Sequence, residues 1–202
     1  LTLSKGRAGV ETPEEAVAKE LEGVPKNKIH RVGNIMIDSL VTILGRISHE
    51  QELDILRRWA LREGEYVLVT LHRPSNVDEP QSLRRVLEYL DRLSEAVPVV
   101  FPMHPRTKKN IGAFGIDISF RPTFQIVDPV RYREFITLEK RARFVLTDSG
   151  GIQEETTFLG LPCVTLRPNT ERPITIIEGT NELADLDTVE EKSRRILAGD
   201  WK

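Results

Sequence analysis

The sequence predicts an open, doubly wound α/β domain, and three observations predict it. Five short runs rich in branched and apolar residues recur from residue 66 onward: "YVLVTLH", "VPVVFPMH", "FQIVD", "RFVLTDS" and "PCVTLR". Amphipathic segments lie between them, and near-continuous apolar strands alternating with helices mean a parallel sheet covered on both faces. Polar residues gather where the runs end: His72 with Arg73, His104 with Arg106, Asp128, Asp148 with Ser149, and Arg167. Ligands of such Rossmann-like sheets sit outside the carboxyl ends of the strands. These residues therefore form one rim.

Taken in order, "LTLSKGRAGV" has no usable period and reads as irregular. "TPEEAVAKELEGV" opens like a helix, with Thr12 as cap, Pro13 at the first helical position and Glu15 three residues after the cap. "KIHRVGN" reads as a short strand and "IMIDSLVTILGRI" as a helix. "HEQELDILRRWAL" continues helically and Gly64 ends it. Within the sheet region, "QSLRRVLEYLDRLSEA", "RTKKNIGAF", "VRYREFITLEKRA" and "GGIQEETTFLG" supply the covering helices. "NELADLD" reads as a loop before a last helix, "TVEEKSRRILAG". The expected organisation is a lead-in over residues 1–65 and the Rossmann-like domain over 66–202.

At 202 residues, 39% hydrophobic and 30% charged, the chain has the composition of a soluble globular domain with its own core. A formal net charge of -2 gives no reason to expect nucleic-acid or anionic-membrane binding. The single cysteine, Cys163, excludes an internal disulfide and any multi-cysteine metal site. No apolar run approaches the ~20 residues that span a bilayer, and the N-terminus shows no signal-peptide pattern. A cytoplasmic setting is the expectation.

The stretch "LTDSGGIQEETTFLGLPCVTLRPNTERP" is the densest in chemistry. A helix starting at Gly150 or Gly151 presents unpaired N–H groups and the positive end of its dipole, and glycine admits a phosphate close to the backbone. Ser149 then donates its hydroxyl to the anion or, on the plainer reading, caps a tight turn. Glu155, one turn beyond Gly151, suits ribose hydroxyls or is a solvated helix glutamate, the better reading for Glu154. Arg172 suits phosphate through its planar fork, or pairs with Glu171 or Glu178. His72 is a structural histidine, or else a proton carrier or donor to a departing phosphate. His104 and Arg106 follow the next run, where Pro105 alone would orient the loop. Phe135 lies beside a flat base or in the core. No His/Cys/Asp/Glu set has metal-ligand spacing, and no serine sits in a nucleophile elbow.

From about Gly23 to Asp187 the chain resembles the non-hydrolysing UDP-N-acetylglucosamine 2-epimerases. "GVPKNKIHRVGNIMIDSL", "TLHRPSN", "HPR", "LTDSGGIQEE", "LGLPCVTLR", "TERP" and "EGTN" occur in family order and spacing. The resemblance implies the C-terminal half of a glycosyltransferase-B-like two-domain fold, with residues 1–65 the remnant of the other half. It implies interconversion of UDP-GlcNAc and UDP-ManNAc by UDP elimination and re-addition, without cofactor or metal. By motif match, Ser149, Gly150 and Gly151 would receive the diphosphate, Glu155 the ribose, Arg172 the phosphates and Phe135 the uracil. His72 would stand at the sugar–phosphate junction, and His104, with Arg73 and Arg106 on the rim, near a regulatory site. Val130 departs from a glutamine that some relatives carry near the base. The arginine and acidic residues assigned to the N-terminal half do not occur, so the chain is expected to be truncated, to bind UDP weakly and not to epimerise alone. A homodimer is implied for the complete protein. The alternatives are a glycosyltransferase of the same fold, a hydrolysing 2-epimerase and a non-catalytic UDP-binding fragment.

Overall fold

The structure is a computed structural model and describes residues 2–3, 7–10, 19–31, 33–117 and 119–201. It separates into two compact units, Leu1–Val41 and Thr42–Lys202. The division falls well before the 65/66 boundary expected from the sequence.

In the first unit, β1 (Thr2–Leu3) pairs antiparallel with β2 (Arg7–Val10), which pairs in parallel with β3 (Ile29–Arg31). The opening stretch expected to be irregular is thus partly strand. The helix expected from Thr12 lies mostly outside the described residues, although residues 19–21 are helical. Helix α1 (Ile35–Leu44) follows.

The unit boundary falls within α1, and the first helix wholly inside the second unit is α2 (His49–Arg58). Ser48 starts it with a capping box: its hydroxyl accepts from Gln51 N at 3.3 Å while its own N–H donates to Gln51 Oε1 at 3.0 Å. The helix ends at Arg58, before Gly64. Gly64 instead makes a turn at φ 72°, and its N–H donates to Arg141 O at 2.8 Å.

Six parallel strands follow: β4 (Val67–Thr70), β5 (Val99–Pro102), β6 (Phe124–Val127), β7 (Phe144–Thr147), β8 (Cys163–Leu166) and β9 (Asn181–Ala184). Their order across the sheet is β6-β5-β4-β7-β8-β9. The chain builds outward one way from β4, then returns to build the other way from β7. The β4–β7 junction is therefore the topological switch point, where open α/β sheets hold ligands. The expectation missed one strand: β9 lies within the segment read as a loop.

Residue alternation assigns the two faces. Val67 and Val69, Val99 and Phe101, and Phe144 and Leu146 point into one core, while Leu68, Val100 and Val145 point into the other. The first core is covered by α4 (Pro80–Leu93), α5 (Pro105–Ala113) and α9 (Val189–Leu197). On α4 the buried Leu83, Val86, Leu87 and Leu90 recur at helical spacing, each burial contributing about 1.5–3 kcal/mol. The second core is covered by α2, α6 (Tyr132–Lys140) and α7 (Gly150–Leu159). Gly160 ends α7 in the left-handed region at φ 66°. Two four-residue helices, α3 (Pro74–Val77) and α8 (Ile174–Ile177), complete the fold. No described helix is long and apolar enough to cross a membrane.

Candidate functional site

At the switch point, the carboxyl end of β4 delivers His72 and Arg73 beside Asp148 and Ser149 from β7. Asp148 is fully buried and serves as the hub. It accepts from His72 N at 3.0 and 3.1 Å, from Arg73 N at 2.8 Å and from Asn76 Nδ2 at 3.0 Å. Its Oδ1 also lies 3.1 Å from His72 Nδ1. Burial works against the charged carboxyl, but hydrogen bonds from His72, Asn76 and Arg73 outweigh it and hold Asp148 below its ordinary value. The carboxylate against Nδ1 orients the half-exposed His72 ring. Asn76 also donates to Leu166 O at 3.0 Å, which ties this cluster to the end of β8.

The neighbouring helix start is half-buried. Ser149 occupies the cap position with extended backbone, and its side chain makes no cap hydrogen bond. The segment after β8 crosses this start: a side chain added at Gly150 would meet Glu171 Oε2 at 3.8 Å and Arg172 Cγ at 4.0 Å. Arg172 pairs through Nε with Glu154 Oε1 at 3.2 Å, so Glu154 is not the solvated residue expected. Glu171 is gripped by both terminal nitrogens of Arg167 at 2.7 and 2.8 Å, and that pairing lowers its carboxyl to about 2.

A polar network inside the fold holds the crossing segment in place. Arg172 N donates to Thr170 Oγ1 at 2.9 Å, and Thr170 donates to Gln153 Oε1 on α7. Gln153 Oε1 also accepts from Asn181 Nδ2 at 3.3 Å, and Asn181 Oδ1 accepts from Thr165 Oγ1 at 2.7 Å. Beside it, a cavity of about 550 Å³ opens at the ends of β8 and β9, with Asn76, Arg167 and Lys192 in its lining.

The structure therefore brings His72, Arg73, Ser149, Gly150, Gly151 and Arg172 to one stretch of the rim. Glu155 is enclosed, 3% exposed, and so is not a solvated helix glutamate; the Tyr132 hydroxyl donates to its Oε1 at 2.9 Å. Phe135 is partly buried and packs against the second core. His104 caps α5 by accepting from Arg106 N at 3.2 Å, and Arg106 pairs with Asp78. Asp148, Asn76 and Gln153 carry the architecture of the site, yet the sequence reading placed only Asp148 on the rim, without a role of its own, and passed over the other two. The usable signal was an acid ending one apolar run and a histidine ending another.

The family model described as UDP-N-acetylglucosamine 2-epimerase matches residues 10–198. The chain belongs to the UDP-N-acetylglucosamine 2-epimerase family. It is 39% identical over 166 residues to the UDP-N-acetylglucosamine 2-epimerase of Methanocaldococcus jannaschii, a match covering 80% of this chain and 45% of that one. It is also 39% identical over 173 residues to the UDP-2,3-diacetamido-2,3-dideoxy-D-glucuronate 2-epimerase of Pseudomonas aeruginosa, covering 84% and 46%. The crystal structure of the M. jannaschii enzyme with UDP-GlcNAc and UDP superposes with a TM-score of 0.84 at 34% identity, over 98% of this chain and 56% of that one. The E. coli ADP-heptose LPS heptosyltransferase II shares the fold alone, at 11% identity and a TM-score of 0.57, over 76% and 53%. The architecture is glycosyltransferase-B-like, and the chain spans about half the length of the family members it matches.

Proposed function

We propose that this chain is the nucleotide-binding half of a UDP-GlcNAc 2-epimerase. The observation that carries the reading is the half-buried α7 start at the switch point, which adjoins both Arg172 and the Asp148 that holds His72. A diphosphate seated at the Ser149–Gly151 turn meets the α7 amides and the positive end of the helix. Arg172 exchanges its Glu154 partner for phosphate oxygen, and Glu155 accepts from the ribose hydroxyls, with Phe135 on the side of the base.

Elimination removes the proton on C2 and breaks the C1–O bond, and the electron pair leaves with UDP. Every donor aimed at the departing phosphate favours that charge. His72 Nε2 supplies such a donor when the ring is protonated, and Asp148 stabilises the resulting cation. Re-addition with the C2 proton returned to the opposite face gives the epimer. The groups that exchange this proton are assigned to the other half of the family fold, so the chain alone is expected to bind UDP without turnover. The complete protein is expected to be a cytoplasmic homodimer.

Calorimetry with UDP and a coupled epimerase assay test the reading. Arg172→Ala should weaken UDP binding about 10–100-fold, the worth of one charge-assisted phosphate contact. Unchanged affinity overturns the site, and turnover by the chain alone overturns the division of labour. The equal identity to the Pseudomonas relative favours a second reading, the same reaction on a diacetamido-uronate UDP-sugar. Product analysis with both UDP-sugars separates the two.

A further inference from the structure

Beneath the rim, two carboxyl side chains face each other in the interior, and the reading above employs only one of them. Glu139, on the inner face of α6, is 0% exposed, and Glu155, on α7, is 3% exposed. Among the described residues, no N–H or hydroxyl donor reaches either oxygen of Glu139, and Oε2 of Glu155 is likewise without a donor. The neighbour within hydrogen-bonding reach of Glu139 is Glu155 itself. The other titratable groups facing the pair are the Tyr132 hydroxyl, which donates to Glu155 Oε1 at 2.9 Å, and the buried Cys163 thiol of β8. None of these is a cation. Two adjacent buried carboxylates without a counter-charge would each carry a large desolvation cost and repel one another.

We propose that Glu139 is a positioning residue that stays protonated at neutral pH and donates its single O–H to Glu155, holding that carboxylate ionised and aimed for a ribose diol. This rests on Glu155 being the ribose acceptor. The proton sits on Glu139 because Tyr132 already donates to Glu155, and two donors favour the charged form there. Burial, then the adjacent Glu155 charge, pushes the Glu139 carboxyl well above the usual carboxylate range. Burial raises Glu155 as well, on balance, and hydrogen bonds from Tyr132 and Glu139 limit that rise. Of the two carboxyls, the one with two donors is the one that carries the charge, and no buried cation is needed.

The experiment uses the 202-residue chain and two readouts. The first needs no ligand: infrared spectroscopy should show a protonated, water-excluded carboxylic acid at neutral pH that is absent in Glu139→Gln. A wild type without this band, or a band that survives in Glu139→Gln, overturns the proposal. The second is UDP affinity against pH. Wild-type affinity should fall as rising pH removes the Glu139 proton and sets two carboxylates against each other. Glu139→Gln, neutral and still a donor, should keep neutral-pH affinity and lose that alkaline fall. Glu139→Ala should weaken UDP about tenfold and leave the 2′,3′-dideoxy analogue unaffected. Equal affinities for Glu139→Gln and Glu139→Ala overturn the positioning role. Failure of every variant and of wild type to bind UDP overturns the nucleotide reading, while the infrared band still decides where the proton lies.

Discussion

Asp148→Asn keeps the volume of the side chain at the switch point and removes its charge. In the wild type the buried carboxylate serves four donor atoms: His72 N, Arg73 N, Asn76 Nδ2 and His72 Nδ1. An amide offers one oxygen, and its NH2 group faces some of those donors. Hydrogen bonds to a charged acceptor are worth about 1.5–3 kcal/mol each. The half-exposed His72 ring can turn to water, whereas the buried Asn76 amide cannot, so the net loss is roughly 2–4 kcal/mol. For a unit of this size, that lowers the melting temperature by roughly 5–15 °C. The assay is thermal unfolding by circular dichroism across a pH series. Because the folded value of Asp148 lies below the ordinary value of about 3.9, its stabilisation is complete above that pH and is lost as pH falls through the folded value. The gap between wild type and variant should therefore narrow on acidification. A melting temperature within about 2 °C of wild type at neutral pH, where 4–8 °C or more is expected even for the smallest loss, would refute the reasoning. So would a gap that widens in acid.

Gly179→Ala places a Cβ 2.5 Å from both Thr157 Oγ1 and the backbone oxygen of Thr175, and should cost about 1–3 kcal/mol by urea unfolding; an unchanged midpoint would contradict that packing. Burial pushes the Cys163 thiol up to about 12, so Ellman's reagent at pH 8 should label the chain only after unfolding. Stoichiometric labelling of the native chain would show that β8 is accessible.

The sheet was legible because β4, β5, β7 and β8 are buried on both faces and leave near-continuous apolar runs. The edge strand β9 was not. Its residues, Asn181 to Ala184, include two polar side chains, and Asn181 belongs in the interior only because Thr165, Gln153 and Thr175 satisfy it. The helices α3 and α8, four residues each, are too short to show a period. At the site, residue types at the strand ends were readable, because each follows its own run. Their partners were not. His72 and Asp148 are 76 positions apart and meet because the strand order places β4 beside β7. Glu154 and Glu155 are adjacent, yet one meets the crossing Arg172 and the other faces Glu139. That difference comes from the packing of α7, which helical spacing alone does not reveal.

A carboxylate on one lip of the central crevice grips the peptide N–H groups of the opposite lip. The aperture at that point is consequently a rigid dimension of the scaffold, fixed before any ligand arrives. Any adjustment at this rim falls to the segments beyond it, above all the strap from Arg167 to Arg172, whose grip on α7 runs through side chains instead of the sheet.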